Sequence, residues 1–155
     1  MSSKFTIFLV LSLFVIAIIT RLPLIEKMHS HTDSSSISLA LSDYNLMQET
    51  PAPPGYPLYI TLGKIFYLFL RNSHNAMLAV SIVASGLGAV GFFYLGKILK
   101  NKTAGVIISL LFLTSPTMYF FGLTVYPYLL MISVEVFCVT ICYEIIFNKK
   151  RYGIF

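Results

Sequence analysis

Long apolar runs separated by short polar breaks set the pattern of this chain, and the runs have the length of membrane spans. Residues 5–20, "FTIFLVLSLFVIAIIT", carry no charge between Lys4 and Arg21, and "LPLI" extends the run. A helix of this composition crosses the ~30 Å hydrocarbon core with Arg21 reaching back to the interface. No small-residue cleavage site follows, so the run reads as an uncleaved anchor. Residues 72–96 give 25 uncharged positions in a row, whose Gly86, Gly88 and Gly91 suit close helix packing in lipid. The 46 residues between Lys102 and Lys149 hold only Glu135 and Glu144 as charges, room for two helices with a turn at "FFGLTVYPY". The predicted spans cover residues 5–24, 75–96, 103–122 and 126–147.

The run "PPGYPLYITLGKIFYLFLRN", 53–72, is different: it opens with prolines and carries Lys64 in its middle. From Tyr56 to Leu70 it makes a helix only about 22 Å long, short of the core thickness. Charge placement arbitrates. If this run stays outside, the inner side holds Lys4, Lys97, Lys100, Lys102, Lys149, Lys150 and Arg151, seven of the eleven basic residues. If it spans, only Lys4 and Arg71 remain clearly inside. The positive-inside rule favours the first arrangement. The expected fold is all-α integral membrane: four transmembrane helices plus interfacial or re-entrant helices in one external loop, 25–74, with five spans as the alternative. Both termini would be cytoplasmic, in a multi-pass protein of the plasma (cytoplasmic) membrane.

That loop contains four of the six acidic residues, Glu26, Asp33, Asp43 and Glu49, and all three histidines. After "TDSSS", Ile37, Leu41, Tyr44 and Met47 recur at spacings of four and three. The spacing predicts an amphipathic helix from about Ser34 to Gln48, flat in the interface and ended by the prolines at 51, 53 and 54.

Composition agrees with the pattern. With 57% hydrophobic and 11% charged residues and a mean hydropathy of +0.81, the chain is not an ordinary soluble domain. Its net charge of +5 is accounted for by topology, which argues against a nucleic-acid role. Cys138 and Cys142 lie one helical turn apart in an apolar run and read as facing lipid or a neighbouring helix, not as a disulfide.

Candidate chemistry concentrates in the loop. Asp33 reads either as a general base or as the N-cap of the helix that follows. His29, His31 and Asp33 alternate, so an extended segment would aim all three to one side, as weak candidate ligands for a divalent metal ion. Arg21, Lys64 and Arg71 are placed to hold the phosphate of a lipid carrier, or simply to anchor helices at the interface. Tyr56 and Tyr59 suit an aromatic belt, and Asp43 a solvated face. Glu135 falls near mid-membrane, where an ionisable group marks a proton or substrate path, or pairs as a neutral acid with a hydroxyl such as Ser133. The sequon "NKT" at 101–103 lies on the inner side.

Taken together, the anchor followed by Arg-x-Pro, an Asp a dozen residues on, "ALSDYN", and "PPGYPLYITLGK" before a Gly-rich span resemble the N-terminal portion of the GT-C glycosyltransferases. These are polytopic enzymes, the protein O-mannosyltransferases among them, that take a sugar from a polyprenyl-phosphate carrier. The resemblance is most specific over residues 21–64. It implies hexosyl or mannosyl transfer at the outer membrane face, a polyprenyl-phosphate-linked sugar and membrane lipid as partners, and Asp33 as the catalytic carboxylate. It also implies that these residues are part of a larger polytopic enzyme. Two positions depart from the family. Ala52 stands where a His often precedes the two prolines, and the turn "FFGLTVYPY" has no acid where many members carry a metal-binding pair. A small non-catalytic membrane accessory or scaffold protein is the alternative function.

Overall fold

The computed structural model describes residues 3–27 and 32–147, and helices account for most of it. Three helices are long and apolar enough to cross a membrane, and a bent pair makes four if it counts as one broken span. Among the described residues there is no strand, only a bridge between Asn45 and Thr50. The chain is an all-α, multi-pass membrane protein.

The first crossing is α1 (Ser3–Arg21). In the loop that follows lie α2 (Thr32–Leu39) and α3 (Pro57–Leu70), and α4 (Ser73–Leu99) returns across the bundle. Next come α5 (Lys102–Thr114), α6 (Pro116–Leu123) and α7 (Tyr128–Phe147). The hub is α4. Of its most apolar stretch 72% is buried, against 17% in α1 and 28% in α7, and every other helix of the bundle packs on it.

Small residues bring about this packing. A Cβ on Gly86 would meet the Phe14 ring, one on Gly88 the Phe112 ring, and one on Gly91 the Val136 side chain. The three glycines therefore let α1, α5 and α7 approach one axis from different sides, as the sequence suggested. At Gly96 and Gly105 the α4 and α5 backbones themselves touch: a Cβ on Gly96 would stand 2.7 Å from Gly105 Cα. Across the same faces Ser109 Oγ donates to Ala89 O and Ser133 Oγ to Ala84 O, each at 2.6 Å, so hydroxyls in the apolar interior find acceptors on α4.

Two elements differ from the sequence reading. The run predicted as a third span is not one straight helix but bends by 62° between α5 and α6. Pro116 explains the break, because a proline inside a helix removes one hydrogen bond and clashes with the carbonyl four residues back. Here it opens α6 instead, where a missing N–H costs nothing. The loop helix is also shorter than predicted, ending at Leu39 and not near Gln48. "SDYN" supplies the reason: Ser42 Oγ donates to Leu39 O and the Asn45 side chain accepts from Met47 N, local bonds that compete with helix. Ile37 is buried and Leu41 partly so, but Tyr44 and Met47 are exposed, so the apolar stripe ends with the helix.

The short α3 packs along α4. Tyr59 Oη bonds Ser81 Oγ at 2.7 Å and Met77 O at 3.1 Å, and Gly63 lies against Met77. Tyr59 is thus a buried tie between two helices and not a residue of an interfacial belt, which corrects the sequence expectation.

Candidate functional site

The loop, α3 and the α6–α7 turn meet at one end of the bundle. Glu26 N donates to Leu123 O at 2.9 Å, the His74 ring bonds Glu26 O at 2.8 Å, and Ser81 Oγ reaches Tyr126 O at 3.3 Å. These contacts tie the start of the loop, the top of α4 and the α6–α7 turn together.

Beside α2 lies a cleft of about 690 Å³. Asp33, Ser35 and Ser42 contribute from one wall, and Gln48, Glu49 and Ala52 from the other. Ser36 Oγ donates to Glu49 O at 2.6 Å and fixes the two walls. Asp33 is exposed in this cleft. It lies in the first turn of α2. Its charge faces the positive end of the helix dipole. Ala52, the position that departs from the GT-C pattern, shares the cleft with Asp33.

A second, apolar groove of about 370 Å³ runs between α3 and α7. Tyr56, Leu58 and Tyr59 form one side, and Leu130, Met131 and Val134 the other, with Glu135 at its margin. The "PPGYP" turn shapes this region. Gly55 has φ +88°, and a Cβ there would stand 2.7 Å from both Leu46 Cδ2 and Tyr44 Oη, so only glycine fits. Tyr44 Oη in turn donates to Gly55 O at 3.1 Å.

Two tyrosines outside the spans, Tyr56 in the groove wall and Tyr126 in the α6–α7 turn, feel the charge of Asp33. Burial pushes the Tyr56 phenol above its ordinary range, with neighbouring Tyr128 and the negative charge of Asp33 adding to the shift. Burial likewise raises Tyr126, followed by Asp33, Tyr128 and Glu26. Both phenols therefore stay protonated donors within the electrostatic reach of Asp33. Sequence reasoning missed Tyr126, which looked like part of a turn without acids. Its only signal was aromatic crowding, now visible as the stacked rings of Tyr126 and Tyr128, 5.6 Å apart.

Arg21 is the other unusual residue. It is fully buried at the end of α1, where Nη1 donates to Ala17 O at 3.1 Å and the guanidinium lies 5.0 Å from the Tyr119 ring. Nε and Nη2 have no hydrogen-bond partner among the described residues. Gly122 makes room for it: a Cβ there would meet Arg21 and stand 2.7 Å from Ser85 Oγ. Lys64 and Arg71 are exposed on or just after α3, and neither is among the hydrogen-bond or ring partners of Arg21.

His29 and His31 lie outside the described residues, and no group of three metal-ligating side chains occurs within them. Asp43 is exposed, as expected. Glu135 is exposed on α7, whereas Ser133 is buried on the opposite face and bonded to Ala84 O and Leu129 O, so the pairing of these two residues is ruled out. Comparison of the chain with protein-family models, curated proteins and solved structures gives no match.

Proposed function

We propose that this chain is part of a membrane glycosyltransferase of the GT-C type, moving a sugar from a polyprenyl-phosphate donor to an acceptor at the outer membrane face. The observation that carries the reading is the pairing in one fold of a hydroxyl-lined cleft containing Asp33 with an apolar groove lined by Tyr56, a phenol that feels the Asp33 charge. A lipid-phosphate sugar has the same two halves. Its prenyl tail suits the groove between α3 and α7, and its sugar the cleft.

In this reading Asp33 takes the proton of the acceptor hydroxyl as that oxygen attacks carbon 1 of the sugar and the bond to phosphate breaks. General-base assistance of this kind contributes roughly 10²–10⁴-fold. Tyr56 and Tyr126, held protonated, are donors available to the departing phosphate. The end of the bundle bearing these groups would face outward, and the end bearing Lys4, Lys97, Lys100 and Lys102 the cytoplasm.

The test is Asp33→Asn. With membranes containing the native chain, a fluorescent polyprenyl phosphate should bind, and a polyprenyl-phosphate sugar should be consumed. The variant should bind equally and transfer at least about 100-fold more slowly. Failure of the native chain to bind any polyprenyl phosphate overturns the reading. The exposed face of α7 favours the second reading, a membrane accessory or scaffold protein, which predicts assembly without donor binding.

A further inference from the structure

The turn between α4 and α5 gathers three cations. Lys97 lies in the last turn of α4, Lys100 follows the helix, and Lys102 opens α5. Backbone contact makes them neighbours in space as well as in sequence. A Cβ on Gly105 would stand 3.2 Å from Lys97 N, Lys100 N donates to Gly96 O at 3.1 Å, and the Asn101 side chain caps α5 by accepting from Ala104 N at 2.9 Å. Lys97 Nζ lies 5.2 Å from the centre of the Tyr94 ring. Beyond that contact, no hydrogen bond or ion pair engages the three ammonium groups among the described residues. The sequence supplies no acid between Glu49 and Glu135 to answer them.

Depth decides what meets this charge. With 27 residues α4 is about 40 Å long, more than the ~30 Å hydrocarbon core. Even at the ~20° tilt common for membrane helices, its ends stand among headgroups. Lys97 is the first charge after the uncharged run 72–96, so this residue and the turn emerge at headgroup level. Beyond the turn α5 presents apolar side chains outward, since Ile107, Leu110 and Leu111 are exposed. Cations at headgroup depth beside an apolar stripe match a molecule with an anionic head and an acyl tail. Three close cations also repel one another. A net anionic head relieves that repulsion, whereas a zwitterionic head brings a cation of its own.

We infer that the α4–α5 turn is a binding site for an anionic phospholipid, its headgroup held by Lys97, Lys100 and Lys102 and its acyl chain lying along Ile107. The Tyr94 ring holds the Lys97 ammonium at the level of the interface. The contact of Gly96 with Gly105 fixes the spacing of the two helix ends, so the charges form a site and not a diffuse positive field. The inference does not depend on glycosyl transfer.

The chain has no tryptophan, so one introduced indole reports on its own surroundings. Ile107→Trp places it on α5, five residues past Lys102 and about 7.5 Å along the helix axis from it. The full chain is reconstituted in mixed vesicles of phosphatidylcholine and phosphatidylglycerol, with one lipid or the other brominated in its acyl chains to quench the indole. Each lysine near a membrane surface is worth about fivefold in affinity for anionic lipid, so Ile107→Trp should report a preference for phosphatidylglycerol of about tenfold or more. In that background Lys97→Gln, Lys100→Gln and Lys102→Gln should each lower the preference several-fold, and the three together should bring it to about twofold or less. Arginine at the same positions should keep it. Phe8→Trp, exposed on α1 toward the same end of the bundle, has only Lys4 near it in sequence and should show the weak preference of one cation. Equal quenching by the two lipids at Ile107→Trp, an undiminished preference in the glutamine variants, or the same preference at Phe8→Trp would each overturn the inference.

Discussion

Arg21 shows how a residue's surroundings separate a structural role from a functional one. Burying a guanidinium without full pairing is costly, and replacing such a buried charge by an apolar side chain of similar volume is often neutral or stabilising by about 1–4 kcal/mol. The Arg21 guanidinium has one nitrogen satisfied by Ala17 O and two without partners, in a space that Gly122 leaves for it. If its role is packing, Arg21→Met should raise the melting temperature and leave polyprenyl-phosphate binding unchanged. If it serves an anionic substrate, the same substitution should hold or raise the melting temperature while weakening binding at least tenfold. The second outcome is expected. A thermal melt in detergent and a binding titration on one preparation decide between them.

At the scale of elements, the chain's pattern was most legible where one physical rule acted alone. The three long apolar helices follow from run length, and Gly86, Gly88 and Gly91 announced the close contacts of α4. Legibility failed where two rules competed. The spacing of Ile37, Leu41, Tyr44 and Met47 predicts a long helix, but the side chains of Ser42 and Asn45 bind nearby backbone and stop it at Leu39. Pro116 likewise bends a run whose hydropathy alone reads as straight. Asp33 was legible as the loop's candidate carboxylate, but the phenol of Tyr126, far along the chain, that feels its charge was not, because no local spacing records such an approach. The short α2 makes a sharp prediction. Ile37→Asp places a charge at a buried position and should cost on the order of 3 kcal/mol, whereas Ser35→Asp, exposed in the first half of the same helix, should change stability by less than about 0.5 kcal/mol. Equal losses in chemical denaturation would mean that α2 does not pack on α4 as described.

The whole molecule turns on whether α3 crosses the membrane. Its 14 residues make a helix of about 21 Å, too short for a ~30 Å core, and its Tyr59 and Gly63 are spent on α4, not on a separate passage. With α3 on the surface, the start of α4 and the Asp33 cleft lie on one side of the membrane, and Lys97, Lys100 and Lys102 on the other. With α3 as a fifth span, the two ends of α4 exchange sides. Single cysteines at Asn75 and Lys100, both exposed, report the difference in a background where Cys138 and Cys142 are serine. On intact cells an impermeant thiol reagent should label Asn75→Cys and spare Lys100→Cys until the cells are opened. The reverse pattern would require α3 to span and would move the Asp33 cleft relative to the start of α4. It would also place three lysines outside, against the charge asymmetry that orients most membrane proteins.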